Sequence, residues 1–267
     1  MPSRTAIPTP LMRAAWWLPC LLGGAAVVHA AAAAPSPAPA TVATSYRVVN
    51  LGTGSISELP TINAHGQVAF SLFDPSGAHA WFYDGHTVQN IGTLGGPTAS
   101  AVDLNDAGQV AGYADTPSGF AHAFRWSAST GMLDLGAING GPDSRAAAIN
   151  SAGWVTGWSS IGSVVEPIHA FLWRRAATGI EDLGNPLGDS LSLSTGNDIN
   201  DAGVIAGDAG VSGPPSNNHA FAWTQATGIV DLGTFGPWSP IPGTRSYARV
   251  DAAKTTLDYA ASPRFHP

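Results

Sequence analysis

Residues 149–184 read INSAGWVTGWSSIGSVVEPIHAFLWRRAATGIEDLG, and three short strings within them decide the fold. The first runs from Ile149 to Val155 and sets β-branched residues on either side of Asn150-Ser151-Ala152-Gly153. Asn starts a type I turn and Gly takes the left-handed position that closes it, so this string predicts a hairpin. The second, HAFLW at 169–173, alternates, with His169, Phe171 and Trp173 on one strand face and Ala170 and Leu172 on the other. The third, Asp182-Leu183-Gly184, ends a short strand that follows the turn at Ala176-Ala177-Thr178-Gly179. The stretch is therefore two hairpins, or four short strands.

The same strings recur in the same order on both sides of it. The H-A-aromatic-x-aromatic string stands at His79 (HAWFY), His122 (HAFRW), His169 and His219 (HAFAW). D-L-G follows at Asp134, Asp182 and Asp231, with N-I-G at Asn90 in the first copy. The turn string falls at Asn63, Asn105, Asn150 and Asn200, with turn glycines Gly66, Gly108, Gly153 and Gly203. Successive copies lie 42 to 50 residues apart. Four antiparallel strands in about 45 residues is the size of a propeller blade. A β-sandwich has no reason for strict repetition, and a parallel β-helix repeats at a shorter period without hairpins. The expected fold is all-β, a β-propeller-like array of four-stranded antiparallel repeats. Ala80, Ala123, Ala170 and Ala220 then form a small face that admits the next blade's Phe124/Trp126, Phe171/Trp173 or Phe221/Trp223.

The units fall at about 53–92, 93–136, 137–184 and 185–233, with a partial unit at 234–267, inside a repeat domain spanning 45–267. Tyr46 to Gly52 reads as a D-L-G-like strand with no H-A-F strand before it, and residues 247–259 read as the opening hairpin of a fifth unit. Pairing the two would remove exposed sheet edges. This predicts four full blades plus one split blade, although Lys254 stands where the turn glycine belongs.

The composition suits short strands on tight turns. Hydrophobic residues make up 44% of the chain, enough for a core, while only 11% are charged against the usual quarter, and Gly (32) and Pro (21) abound. Residues 1–30 read as a signal peptide: Arg4 and Arg13, an apolar stretch from Ala14 to Val28, then Val28-His29-Ala30 as the cleavage signal. At about 15 residues the apolar stretch is short of the roughly 20 that span a bilayer. Residues 31–44 contain only Ala, Pro, Ser, Thr and Val and read as a linker. Cleavage removes Cys20, the one cysteine, and with Arg4 and Arg13 gone the net charge moves from −7 to −9. That balance excludes a nucleic-acid binder, which needs clustered Lys and Arg, and no membrane span is left after cleavage.

On these strings the chain resembles the HAF-type extracellular repeat. The resemblance rests on HAFLW at 169–173, NIGTLGG at 90–96, DLGTFG at 231–236 and INSAGWVTG at 149–157, and it covers roughly residues 46–236. It implies an exported bacterial protein with a propeller-like repeat fold and brings no activity, substrate or catalytic residue with it. Phe70 departs from the pattern where later copies have Gly112, Gly157 and Gly207.

One histidine per blade is a structural pattern. His79, His122, His169 and His219 are expected to hold a neighbouring hairpin, with Asp134, Asp182 and Asp231 as natural partners. Function is expected where the repeat breaks. Trp154 and Trp158 share one strand face, where other copies have Gln67/Ser71, Gln109/Tyr113 and Val204/Asp208, and Trp238 lies in the last loop. Such aromatics suit contact with a sugar ring or a partner side chain. The non-repeated acids Asp74, Asp84, Asp115, Asp143, Glu166, Asp189 and Asp208 form no known catalytic or metal motif. The expectation is a secreted or periplasmic scaffold, a binding or structural module without cofactor, catalytic or metal residues, for an extracellular protein or glycan. The alternative is a carbohydrate-active enzyme with acidic residues in the propeller mouth.

Overall fold

The computed structural model describes residues 48–162, 167–187, 193–210, 218–233, 245–250 and 257–262. The expected signal peptide and the whole 31–44 linker, with Tyr46, Glu166, Asp189, Trp238 and Lys254, lie outside these residues.

Every described element but one 3-10 turn, Ile138–Gly140, is a strand. The first unit is β1 (Ser55–Ile62), β2 (Val68–Asp74), β3 (Gly77–Tyr83) and β4 (Val88–Asn90). The second is β5 (Ala99–Leu104), β6 (Val110–Asp115), β7 (Ala121–Ser127) and β8 (Gly131–Gly136). The third is β9 (Ser144–Ile149), β10 (Val155–Ser160), β11 (Ile168–Trp173) and β12 (Ile180–Gly184). The fourth is β13 (Leu193–Ile199), β14 (Ile205–Gly210), β15 (Asn218–Thr224) and β16 (Gly228–Gly233). In each unit the four strands form an antiparallel meander in chain order, the pattern of a propeller blade.

The turn string makes the hairpin that its residues demand. The N–H of Gly66, Gly108, Gly153 and Gly203 donates to the carbonyl of the Asn three residues earlier at 2.9–3.1 Å, and these glycines have φ between 71° and 77°. A side chain there would be strained.

Packing between units is the interlock of small and aromatic faces. Ala80 lies in one buried cluster with Phe124 and Trp126, Ala123 with Phe171 and Trp173, and Ala170 with Phe221 and Trp223. A second device recurs beside it. Gly112, Gly157 and Gly207 sit where the first strand of the unit bulges, and a Cβ there would collide with the carbonyl oxygen of Ser100, Arg145 or Thr195. Phe70 occupies this position in the first unit, and there β1 slips register twice along β2 instead of once.

The N-terminal strand is a correction. Val48 to Gly52 carries no strand; the Gly52 N–H instead donates to Asn50 Oδ1, a local Asx turn. The hairpin at the other end does form. Its strands β17 (Arg245–Val250) and β18 (Leu257–Ser262) pair antiparallel, and β17 joins β15 through one parallel pair, Asn218↔Arg245.

Candidate functional site

The repeated histidines lie within their own units. His122 Nδ1 is 3.0 Å from Asp134, His169 Nδ1 2.9 Å from Asp182 and His219 Nδ1 2.8 Å from Asp231. Each aspartate also accepts the N–H of the glycine two residues on, at 2.7–2.8 Å. The pair thus ties the third strand of the unit to the end of its fourth. Hydrogen bonding to Asp134 raises the pKa of His122. Burial works against ionisation of Asp134 and Asp182, but the bonds from histidine and glycine outweigh it and lower both. In the first unit Asn90 takes the aspartate's place, and His79 Nε2 turns to Ser76 Oγ at 2.8 Å.

A ladder between units joins the turns. Asn63 Nδ2 donates to the carbonyl of Asn105, Asn105 Nδ2 to that of Asn150, and Asn150 Nδ2 to that of Asn200, at 2.9–3.1 Å. The side-chain oxygens of these asparagines accept the N–H four residues on, so each amide serves its own turn and the next unit together.

The two tryptophans share a face of the third unit but not an environment. Trp154, just before β10, packs over the turn of the fourth unit, where a Cβ on Gly203 would meet its ring at 2.6 Å. Arg174 lies over the same ring at 5.2 Å. Trp158, four residues on and so about 13 Å along the strand, stands directly opposite Arg145 on β9.

This pair is one rung of a set found in every unit. The first two strands place Glu58 opposite Ser71, Ser100 opposite Tyr113, Arg145 opposite Trp158 and Thr195 opposite Asp208. Turns, histidines and cores repeat; this rung does not. Three of its units are connected. Tyr113 donates its hydroxyl to Glu58 Oε1 at 2.7 Å, and the Arg145 guanidinium lies 4.6 Å from the Tyr113 ring and 5.5 Å from that of Trp158. All four side chains are half-buried, so the cluster meets solvent. Burial raises the Tyr113 pKa, keeping its hydroxyl a donor to Glu58.

The non-repeated acids sort by their surroundings. Asp74 is held by Ser76, Asp84 by His86 and Thr87, Asp115 by Thr98 and Asp208 by Asn197. Asp143 differs. It stands two residues before Arg145, is only 8% exposed, and its Oδ1 finds no hydrogen-bond partner. Burial raises its pKa against the pull of Arg145 and His122. Among the described residues no group of three or more His, Cys, Asp or Glu is placed to hold a metal ion. No described helix is long and apolar enough to cross a membrane.

No protein-family model matches this chain, and no curated protein does. Among the solved structures to which the chain is similar are two TolB proteins. TolB from Acinetobacter baumannii has a TM-score of 0.48 at 16% identity, over 78% of this chain and 52% of that one. A putative TolB from Agrobacterium tumefaciens has 0.46 at 12% identity, over 64% of this chain and 62% of that one. The chain thus spans little more than half the length of the first, and likenesses this remote say nothing of what it binds.

Sequence reasoning reached Trp158, Tyr113, Ser71 and Asp208 as variable positions and missed their partners across the rung. The signal was present: Glu58, Ser100, Arg145 and Thr195 each stand five residues before the repeat asparagine. The bulge hides the pairing, because a simple hairpin count from the turn places a different residue opposite Trp158.

Proposed function

We propose that this chain is an exported binding scaffold built of HAF-type repeats, in which the residues repeated in each unit hold the blades together and the variable rung meets the ligand. The observation that carries the proposal is the contrast at one register position. Turn, histidine, aspartate and core residues recur from unit to unit, whereas the rung changes from Glu58/Ser71 to Ser100/Tyr113, Arg145/Trp158 and Thr195/Asp208. Glu58, Tyr113, Arg145 and Trp158 of this rung are half-buried, and a solvent-facing position that changes from unit to unit is where a scaffold acquires specificity. Export rests on residues 1–30 as a signal peptide followed by the 31–44 linker. In the same reading the β17–β18 hairpin begins a fifth unit, and Trp238 in the segment before it is a further contact residue.

The test is a glycan and extracellular-protein array probed with residues 31–267 and with a Tyr113→Ser/Trp158→Ala variant. The wild type is expected to retain a ligand that the folded variant loses. A ligand held equally by both would place the site elsewhere.

A further inference from the structure

The first unit leaves one of its sheet faces open. Residues paired directly across strands point to the same side of a sheet, and Ile62, Val68, Tyr83 and Val88 stand opposite one another in a single row across β1 to β4. A second row on that side sets Ile56 opposite Leu72. Ala80 and Phe82 point the other way, into the cluster shared with the second unit. In the later units this side is covered by the strands of the unit before, whereas here Ile56, Ile62 and Val88 are exposed. Among the described residues, seven of the nine exposed large hydrophobics lie between Val48 and Val88. Apolar groups scattered singly over a surface need no partner, but a row crossing a whole sheet is a patch.

Charge selects the occupant. Residues 48–124 hold six carboxylates and no Lys or Arg. Two of them bracket the open face: Asp74 opposite Gly77 at the start of β3, and Asp84 just past its end. The strand between sets them about 20 Å apart. Bonds from Ser76 hold Asp74 below the usual carboxylate range, and bonds from Thr87 and His86 do the same for Asp84, so both meet solvent ionised. A second copy of this chain would bring the same carboxylates to the contact, and like charges repel. A cationic partner turns that repulsion into attraction, and strands are what this side meets in every later unit. Beyond the binding role of the rung, we infer that this face docks an extended segment of a partner protein, apolar at alternate residues and carrying Lys or Arg at both ends.

Fluorescence anisotropy of residues 31–267 with the labelled, end-blocked heptapeptide Lys-Thr-Val-Thr-Val-Thr-Lys tests this. One side of that strand carries both valines, with a lysine at each end about 20 Å apart. It should bind at least about tenfold more tightly than the same peptide with Glu for Lys, or with Gly for Val. Ile56→Ser/Ile62→Ser should weaken it about tenfold or more. Asp74→Asn/Asp84→Asn should weaken it about fivefold and flatten its dependence on salt. Both pairs change exposed side chains, so the melting temperature should hold. No binding of the lysine peptide, or equal binding of all three, overturns the inference, as does an Ile56→Ser/Ile62→Ser chain that binds like the wild type. Loss on Tyr113→Ser/Trp158→Ala would put the peptide at the rung and overturns it too. So does self-association, seen by sedimentation, that Ile56→Ser/Ile62→Ser abolishes, since that gives the face to a second copy.

Discussion

The first and third units carry the same repeat and differ in what lies beside them. Ile149 and Ile62 both precede the turn asparagine, yet Ile149 is 6% exposed and Ile62 71%. Leu104 and Ile199, at the same position, are 7% and 4% exposed. Each buried copy packs into the cluster shared with the unit before it. Ile56, Leu59 and Phe73 of the first unit are exposed as well. A repeat residue therefore has a role only when its neighbour is present, because no unit can bury its own faces. The first unit has also relaxed the packing rule, with Phe70 where the others require glycine.

The sharpest way to break this comparison is at that glycine. Gly157→Val sets a branched side chain against the Arg145 carbonyl and Ala146 Cα, and should cost more than about 4 kcal/mol in urea unfolding. Phe70 shows that the first unit accommodates a side chain there, so Phe70→Leu should cost far less. Equal losses would mean that the bulge does not set the rule.

Burial gives the next largest effect. Ile149→Ala should lose about 3 kcal/mol, whereas Ile62→Ala should stay within about 0.5 kcal/mol, as surface changes do. Paired chemical denaturation of the two variants reads this directly, and a matching loss at Ile62 would show its face to be covered in solution.

A smaller effect belongs to the ladder. Asn150→Ala removes the bond to the Asn200 carbonyl and leaves the Trp154 N–H without its acceptor, for about 2 kcal/mol. Its signature in hydrogen exchange should be faster exchange at Trp154 and Val204, on both sides of the unit boundary. Exchange altered in the third unit alone would mean that the ladder does not couple units.

The smallest effect is the histidine pair, half-exposed and worth under about 1 kcal/mol. The pKa of His122 is raised in the folded state, so its contribution is full below the unfolded value near 6.5 and disappears as pH rises through the folded one. Asp134 is lowered, so its share is present above about 3.9 and is lost as pH falls through its folded value. His122→Ala should therefore lower the melting temperature more at pH 5.5 than at pH 8.5. The opposite order would sink the His–Asp account.

Much of the fold was legible because its signals are local. Asn63-to-Gly66 and its three copies specify a turn from four adjacent residues, and HAFLW at 169–173 shows its two faces by simple alternation. The His–Asp pairs were within reach too, since both partners recur at a steady spacing within one unit. The candidate site was half legible: a break in repetition marks Tyr113 and Trp158, but not what lies across from them.

By itself the sequence determined the strands, the turns and the alternation of small and aromatic faces, all of which depend on residues a few positions apart. Only the tertiary structure decided that a bulge sets Arg145 opposite Trp158, that Tyr113 reaches Glu58 in the unit before, and that each turn asparagine bonds the next unit. It also decided that Val48 to Gly52 turns on itself without forming a strand. These outcomes depend on where one sheet lies against another, and a contact between residues 55 or 32 positions apart leaves no period along the chain from which to read it.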